Sequence, residues 1–377
     1  MTTAAASLHD VEAPAVGARV GNSPGNSKPN FVKRAVGSLL NHYRAPRILG
    51  LDIMRVTASA TIVAYHANYV ASNLHFGPLK DGYLAVDVFF ILSGWLLTGQ
   101  ALAMRSKISS RGQFIWRFWI RRWLRTLPPY WALLTILFFT GGVLWFAFDL
   151  RHYLIRAVFL QSVFEPYPYG VTWSLITEEW FYLLLPILII ASPRLPHRLA
   201  WTLAVGLGLL LPTLIRGYLV ATTDASNLAG FAVPITGTYD RYEGLVLGAG
   251  LAVASTVGKS WYVWLRNRRT VVFCLSTAAI AILLLADRSE AAWFRVPGIL
   301  CFDLLAAACL PFMVSLRWPV RSPAVIRVAF TYLAELTYPI YLIHLIVIRR
   351  TGILKPHPGL YVATTIVLIL LASSILH

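Results

Sequence analysis

Ten long apolar stretches, separated by short polar segments, dominate the pattern of the chain. Each stretch is long enough to cross a bilayer of about 30 Å as a helix. The pattern therefore predicts an all-α polytopic membrane protein with about ten transmembrane helices. The predicted spans are approximately 49–70, 83–104, 127–148, 173–191, 199–220, 241–257, 270–286, 296–316, 328–349 and 359–376.

Lysine and arginine residues are unevenly distributed between the predicted loops. If the N-terminus is cytoplasmic, 22 of the 33 lie in inner segments and 8 lie in outer loops. Positive residues concentrate on the cytoplasmic side of membrane proteins. The sequence therefore predicts that both termini are cytoplasmic.

The composition agrees with a membrane protein. Hydrophobic residues make up 57% of the chain and charged residues 13%, whereas a soluble domain carries about 25% charged residues. The net charge of +17 lies in short loops between apolar segments, so we expect no nucleic-acid partner. Cys274, Cys301 and Cys309 lie in apolar segments and form no CxxC pair. We expect no metal centre and no resident cofactor.

Residues 1–46 differ from the rest of the chain. They are rich in Ala, Gly, Ser, Pro and Asn and carry scattered charges. They contain no apolar run of the kind found in a signal peptide. This composition cannot bury enough apolar surface to fold alone, which predicts a disordered, basic cytoplasmic tail.

The first span contains two polar residues, Arg55 and His66. Eleven steps of about 100° come within roughly 20° of three turns, so both side chains lie on one helix face, about 16 Å apart along the axis. An arginine at the middle of a membrane helix costs at least about 2.5–3.5 kcal/mol. Either these side chains only bond to neighbouring helices, or they carry chemistry.

Acidic residues lie near the outer ends of the second and fourth spans. Asp87 lies at a depth similar to that of His66, so it is expected either to orient the imidazole or to cap its helix. Glu178 is expected to pair with an arginine or to orient a hydroxyl group. The adjacent Glu179 is expected to face solvent.

A basic segment with interleaved tryptophans precedes the third span. Its arginines recur at helical spacing, and two interpretations stay open. The segment is either an interfacial helix on anionic lipid or a phosphate site for a cytoplasmic nucleotide donor, since guanidinium groups match phosphate geometry. The residues concerned are Arg117, Arg121, Arg122 and Arg125, with Trp116, Trp119 and Trp123.

The ninth span contains Tyr338, Pro339 and His344. Pro339 removes a backbone hydrogen bond, which predicts a kink. His344 lies near the predicted outer side, as His66 does. It is either a hydrogen-bonded histidine between helices or a participant in the chemistry.

Six sequence motifs occur in order from about Arg47 to the end of the chain. They are Leu51–Arg55 with His66, Val86–Gly94, Arg122–Arg125 before Pro128, Trp173–Tyr182, Arg241–Gly248 and Tyr338–His344. In these motifs the chain resembles the membrane acyltransferase-3 family, whose members O-acylate polysaccharides, lipopolysaccharide, peptidoglycan and some smaller molecules. The resemblance assigns residues 47–377 to an acyltransferase-3-like transmembrane domain.

The chain departs from the family pattern in two places. Ala85 stands where the family usually has glycine. Family members usually continue beyond the last span, so the resemblance predicts a transmembrane domain truncated at its C-terminus. Some members also carry an extracytoplasmic hydrolase-like domain, which we do not expect within these 377 residues. A separate extracytoplasmic partner is one way to complete transfer, and action by this domain alone is the other.

The resemblance implies an O-acyltransferase, most simply an O-acetyltransferase, in the cytoplasmic (inner) membrane of a bacterial-type cell. Its co-substrate would be acyl-CoA, most simply acetyl-CoA. Its acceptor would be a sugar hydroxyl of a surface polysaccharide, a lipopolysaccharide or another glycolipid. The outer segments 167–170 and 227–238 are candidates for lining an acceptor cleft, because aromatic residues stack on sugars.

Residue roles follow from the resemblance and the predicted topology. Arg122 and Arg125 would bind the donor phosphates, while Arg55 would polarise the thioester carbonyl or steady the pantetheine arm. His66 would deprotonate the acceptor hydroxyl or carry the acyl group transiently. Asp87 or Glu178 would orient the imidazole of His66. The candidates for acceptor binding or a proton relay are His344, Tyr338 and Arg241.

Two other functional classes fit the same composition. A proton-coupled transporter or flippase for a glycan or small molecule would also have about ten spans and buried ionisable residues. A non-catalytic membrane scaffold is the third class, and the intact Arg55 and His66 argue against it. The ordered motifs favour the acyltransferase.

Overall fold

A computed structural model describes residues 47–70, 77–140, 150–160, 172–192, 197–222, 241–286, 294–354 and 356–377. This described part is almost entirely helical and contains no strand, which confirms the all-α prediction. The tail 1–46 and the segments 167–170 and 227–238, which were expected to line an acceptor cleft, lie outside the described residues.

Thirteen α-helices can be numbered along the described residues. The first five are α1 (Leu49–Val70), α2 (Ala85–Lys107), α3 (Arg111–Thr140), α4 (Leu150–Ala157) and α5 (Trp173–Ala191). The remainder are α6 (His197–Val205), α7 (Leu211–Thr222), α8 (Glu243–Val257), α9 (Ser260–Asn267), α10 (Arg269–Leu285), α11 (Ile299–Ser315), α12 (Ala324–Thr351) and α13 (Pro358–Leu376). The shorter helical turns are Gly77–Leu84, Gly206–Leu210, Phe294–Gly298 and Gly352–Leu354.

Described helices lie at each of the ten predicted span positions, and α1 and α5 have the predicted bounds. Residues 141–148 of the third predicted span lie outside the described residues. The basic segment before the third predicted span is helical and continuous with that span in α3. Pro339 lies within α12, which continues on both sides of it. Hydrophobic runs thus located the helices well, because burial of an apolar face determines where a helix persists.

Six described segments are long and apolar enough to cross a membrane. A seventh is added if α9 and α10, which meet at an angle of 81°, form one broken span. The six segments are Lys80–Lys107, Trp173–Ala191, Thr202–Thr222, Val296–Ser315, Ala324–Leu354 and Gly359–Leu376. The total of ten spans and the cytoplasmic position of both termini stay predictions.

Helices α2 and α8 pack with their backbones in contact. A Cβ atom added to Gly94 would overlap the carbonyl oxygen of Leu245, and one added to Gly248 would overlap that of Ile91. Small residues permit this close approach between helices. Helices α1, α5 and α11 contact α2, and α12 packs on α1. This arrangement brings the motif residues of five helices into one region of the bundle.

Candidate active site

Two histidines from distant parts of the sequence meet between α1 and α12. Nε2 of His344 lies 3.2 Å from Nδ1 of His66, and the ring centroids are 4.9 Å apart. His344 is completely buried, whereas His66 is partly buried. Both residues were predicted to lie near the outer side, and the structure brings them into direct contact.

Backbone carbonyl groups contact the Nδ1 atoms of both rings. Nδ1 of His66 lies 3.0 Å from the carbonyl oxygen of Ile62, one turn earlier in α1. Nδ1 of His344 lies 2.7 Å from the oxygen of Tyr341 and 3.2 Å from that of Ile340. No hydrogen bond between Nε2 of His66 and a described residue accompanies these contacts.

Asp87 bonds to Arg241 rather than to His66. The expectation that Asp87 orients the His66 imidazole is therefore corrected. Arg241 donates from Nη2 to Oδ2 of Asp87, and both side chains are almost completely buried. The guanidinium group also lies 5.3 Å from the ring centre of Tyr83 and 5.1 Å from that of Trp173. A buried guanidinium group is stabilised by a counterion and by neighbouring aromatic rings. This explains why the Asp87 carboxylate points toward Arg241.

A second buried ion pair lies beside the first. Nη2 of Arg216 donates to Oε1 of Glu243 at 2.7 Å, and both side chains are at most 1% exposed. Asp303 in α11 interacts electrostatically with both arginines. Neither of its carboxyl oxygens has a hydrogen-bond partner among the described residues. Sequence reasoning missed Asp303, although an acidic residue inside an apolar run is the signal that identified Asp87.

Glu178 bonds to hydroxyl groups rather than to His66. This corrects the expectation that Glu178 orients the His66 imidazole, and it agrees with the alternative that Glu178 orients a hydroxyl group. Its Oε1 accepts from Ser93 at 2.8 Å, and its Oε2 accepts from Tyr182 at 2.7 Å. Ser174, one turn before Glu178 in α5, contacts the hydroxyl of Tyr341 at 2.5 Å. Positions separated by four residues share a helix face, so α5 presents one continuous polar stripe.

Glu179 does not face solvent, contrary to expectation. It is 7% exposed, and its Oε1 accepts a hydrogen bond from Thr126 Oγ1 at 3.0 Å. The backbone oxygen of the same threonine accepts from the hydroxyl of Tyr338 at 2.7 Å. Tyr338 therefore links α12 to α3, and no direct contact with either histidine is described for it.

The other end of α1 carries a charged cluster around Arg55. Nη1 of Arg55 donates to Asp52 at 3.2 Å. Asp52 also lies 3.7 Å from Nε of Arg47, whose Nη1 donates to Glu335 at 2.8 Å. The Arg55 side chain is 20% exposed. Arg55 and His66 thus belong to one continuous helix but have separate partners.

The two arginines expected to bind the donor lie in α3. Arg122 donates to Gln100 of α2, and its guanidinium carbon lies 6.0 Å from the ring centre of Phe118. Burial lowers the pKa of Arg122 to about 10, so this side chain stays positively charged at neutral pH. Arg125 is exposed and interacts electrostatically with Arg55, the residue expected to polarise the thioester carbonyl or steady the pantetheine arm.

Comparison with known proteins identifies the family. The profile of the acyltransferase-3 family, described as an acyltransferase domain, matches residues 48–377. The chain is similar to the peptidoglycan O-acetyltransferase OatA of Listeria monocytogenes serovar 1/2a, with 26% identity over 335 residues. That alignment covers 82% of this chain and 50% of OatA.

Shorter parts of the chain align with two other proteins that have related names. A protein of Staphylococcus aureus strain COL, provisionally named an O-acetyltransferase, is 31% identical over 38% of this chain and 25% of its own length. YrhL of Bacillus subtilis strain 168, provisionally named a peptidoglycan O-acetyltransferase, is 31% identical over 38% of this chain and 24% of its own length.

The chain thus spans half the length of the Listeria relative and about a quarter of the other two. No solved structure is a significant match. The family profile covers nearly all of the described residues, including every motif considered above. The chain therefore belongs to the acyltransferase-3 family.

Proposed function

We propose that this protein is an integral membrane O-acetyltransferase of the bacterial inner membrane. It transfers an acetyl group from cytoplasmic acetyl-CoA to a sugar hydroxyl of a cell-surface glycan. Family membership and the names of the relatives support the reaction class. Because two of these names specify peptidoglycan, a peptidoglycan sugar is the first acceptor to test.

The observation that carries the proposal is the position of His66. Its Nδ1 bonds within the bundle, and no described residue bonds to Nε2, which is where an acceptor hydroxyl would meet the ring. A hydroxyl is a weak nucleophile until a base removes its proton, and imidazole titrates near neutral pH. His66 is therefore assigned as the general base.

The transfer step balances with His66 as a base. Nε2 takes the hydroxyl proton while the hydroxyl oxygen forms a bond to the thioester carbonyl carbon. The carbon–sulfur bond then breaks, and Nε2 passes the same proton to the departing thiolate of CoA, which restores the neutral imidazole. A second version, in which His66 first carries the acetyl group, uses the same nitrogen.

The donor would bind at the opposite end of α1. Arg122 and Arg125 provide positive charge for the CoA phosphates, and Arg55 lies close to Arg125. The axial separation of about 16 Å between Arg55 and His66 suits an extended acyl-pantetheine arm. In this proposal the donor phosphates lie on the cytoplasmic side and the acceptor hydroxyl lies nearer the outer side.

The test uses the purified chain in proteoliposomes with labelled acetyl-CoA and a peptidoglycan fragment as acceptor. We expect His66→Ala to reduce acetyl transfer by at least about a hundredfold, the usual contribution of a general base. His357→Ala serves as the control, because His357 is exposed before α13, and it should keep the wild-type rate.

Two results would contradict the proposal. Full transfer by His66→Ala would exclude His66 as base or carrier. Absence of CoA binding by the wild-type protein, together with movement of a glycan or an ion across the liposome, would favour the transporter or flippase instead.

A further inference from the structure

We propose that His344 is a positioning residue that selects the tautomer of His66. It holds the proton of His66 on Nδ1 and so leaves the lone pair of Nε2 for the acceptor hydroxyl. This inference rests on the proposed role of His66 as a base. The evidence is the hydrogen-bond geometry of the two rings.

The tautomer of His344 follows from its backbone contacts. Its Nδ1 lies 2.7 Å from the carbonyl oxygen of Tyr341 and 3.2 Å from that of Ile340. A carbonyl oxygen only accepts hydrogen bonds, so Nδ1 of His344 must carry a proton. The ring is completely buried, and no described carboxylate contacts it. A buried charge without a counterion is costly, so the ring is neutral and its Nε2 has a lone pair.

That lone pair determines which nitrogen of His66 is protonated. Nε2 of His344 lies 3.2 Å from Nδ1 of His66, and as an acceptor it requires a proton on that atom. The carbonyl oxygen of Ile62 lies 3.0 Å from the same atom and imposes the same requirement. Two acceptors therefore share one N–H, and a neutral His66 keeps its remaining lone pair on Nε2.

The two acceptors contribute in different ways. The Ile62 carbonyl belongs to α1 itself, so it accompanies His66 whatever the neighbouring helices do. His344 belongs to α12 and fixes the ring against a second helix. The orientation of a catalytic imidazole is normally set by the bond at its other nitrogen. In this protein a neutral imidazole supplies that bond where a carboxylate was expected.

The test compares His344→Gln with His344→Leu. The Oε1 atom of glutamine can replace Nε2 of His344 as an acceptor, whereas leucine fills similar space without one. We expect the leucine variant to lose about tenfold or more in kcat, corresponding to one lost hydrogen bond, and the glutamine variant to recover most of it. The KM for acetyl-CoA should not change in either variant, because the donor groups lie at the far end of α1.

A spectroscopic measurement separates this inference from the proposed function. ¹⁵N NMR of histidine-labelled protein should show His66 protonated on Nδ1 in the wild type and in His344→Gln, and a tautomer mixture in His344→Leu. His357→Gln is the control and should leave the His66 signals unchanged.

The outcomes are distinct. If His66→Ala stays active while the tautomer shift appears, the base assignment fails and the positioning role stands. A wild-type His66 protonated on Nε2 would overturn the inference. Unchanged His66 signals together with full kcat in His344→Leu would also overturn it.

Discussion

The buried ion pair between Arg241 and Asp87 allows the free-energy cost of a substitution to be predicted in kcal/mol. Both side chains are at most 2% exposed, so removing one charge leaves the other without its counterion in a low-dielectric environment. Breaking a buried pair in this way costs about 3–5 kcal/mol. The surroundings of Arg241 decide where each single variant falls in this range.

Asp87→Asn should lie near the lower limit, at about 3 kcal/mol. Arg241 would keep its two aromatic faces, each contributing about 0.5–2 kcal/mol, and its electrostatic interaction with Asp303. Arg241→Gln should lie near the upper limit, at about 5 kcal/mol. It removes the aromatic contacts as well and leaves two buried carboxyl groups, those of Asp87 and Asp303, without this cation.

The assay is reversible unfolding of the purified protein in mixed micelles, followed by tryptophan fluorescence. The double variant Asp87→Asn/Arg241→Gln should cost about 0.5–3 kcal/mol less than the sum of the single variants, the usual coupling of residues in contact. Arg350→Gln, which changes an exposed arginine, is the control. The reasoning is refuted if Asp87→Asn unfolds like the wild type or if the two costs simply add.

Two further predictions concern packing and donor binding. Gly248→Ala should cost about 1–3 kcal/mol in the same assay, because the added carbon overlaps the Ile91 carbonyl. Gly250→Ala, where the added carbon meets open space, should instead stabilise α8 by up to about 1 kcal/mol; equal effects at both glycines would contradict the packing argument. Arg122→Gln should raise the KM for acetyl-CoA about tenfold, the effect of one charge-assisted hydrogen bond to phosphate, with kcat little changed in steady-state kinetics. An unchanged KM would favour the interfacial-helix interpretation of this segment.

The positions of the helices were accessible from sequence. A run such as 173–191 is uniformly apolar and begins after a turn, so both ends of α5 could be located. The axial spacing of polar residues within one helix was equally accessible, because each residue adds about 1.5 Å along a helix axis. On this basis Arg55 and His66 are predicted to share one face of α1, and the structure has both in that one continuous helix.

The partners of these residues could not be obtained in the same way. The sequence placed Asp87 at the depth of His66, but depth leaves open which neighbouring helix a side chain faces. The choice of Arg241 depends on the rotation of α2 against α8, and the glycines at their contact fix that rotation. The burial of Glu179 has a similar origin, since its partner Thr126 lies where the basic segment continues into the third predicted span as one helix.

The distribution of charge among the described residues suggests how the bundle keeps its histidines neutral. Arg241 and Asp87 neutralise one another at one end of α2, and Asp52 lies between Arg47 and Arg55 at the far end of α1. Glu178 is held by two hydroxyl groups, and the described hydrogen-bond partners of His66 are the Ile62 carbonyl oxygen and His344 rather than a carboxylate. A base held neutral by its surroundings keeps its lone pair until the acceptor hydroxyl arrives. The ion pairs would thus serve catalysis indirectly, by keeping carboxylates away from the histidine pair.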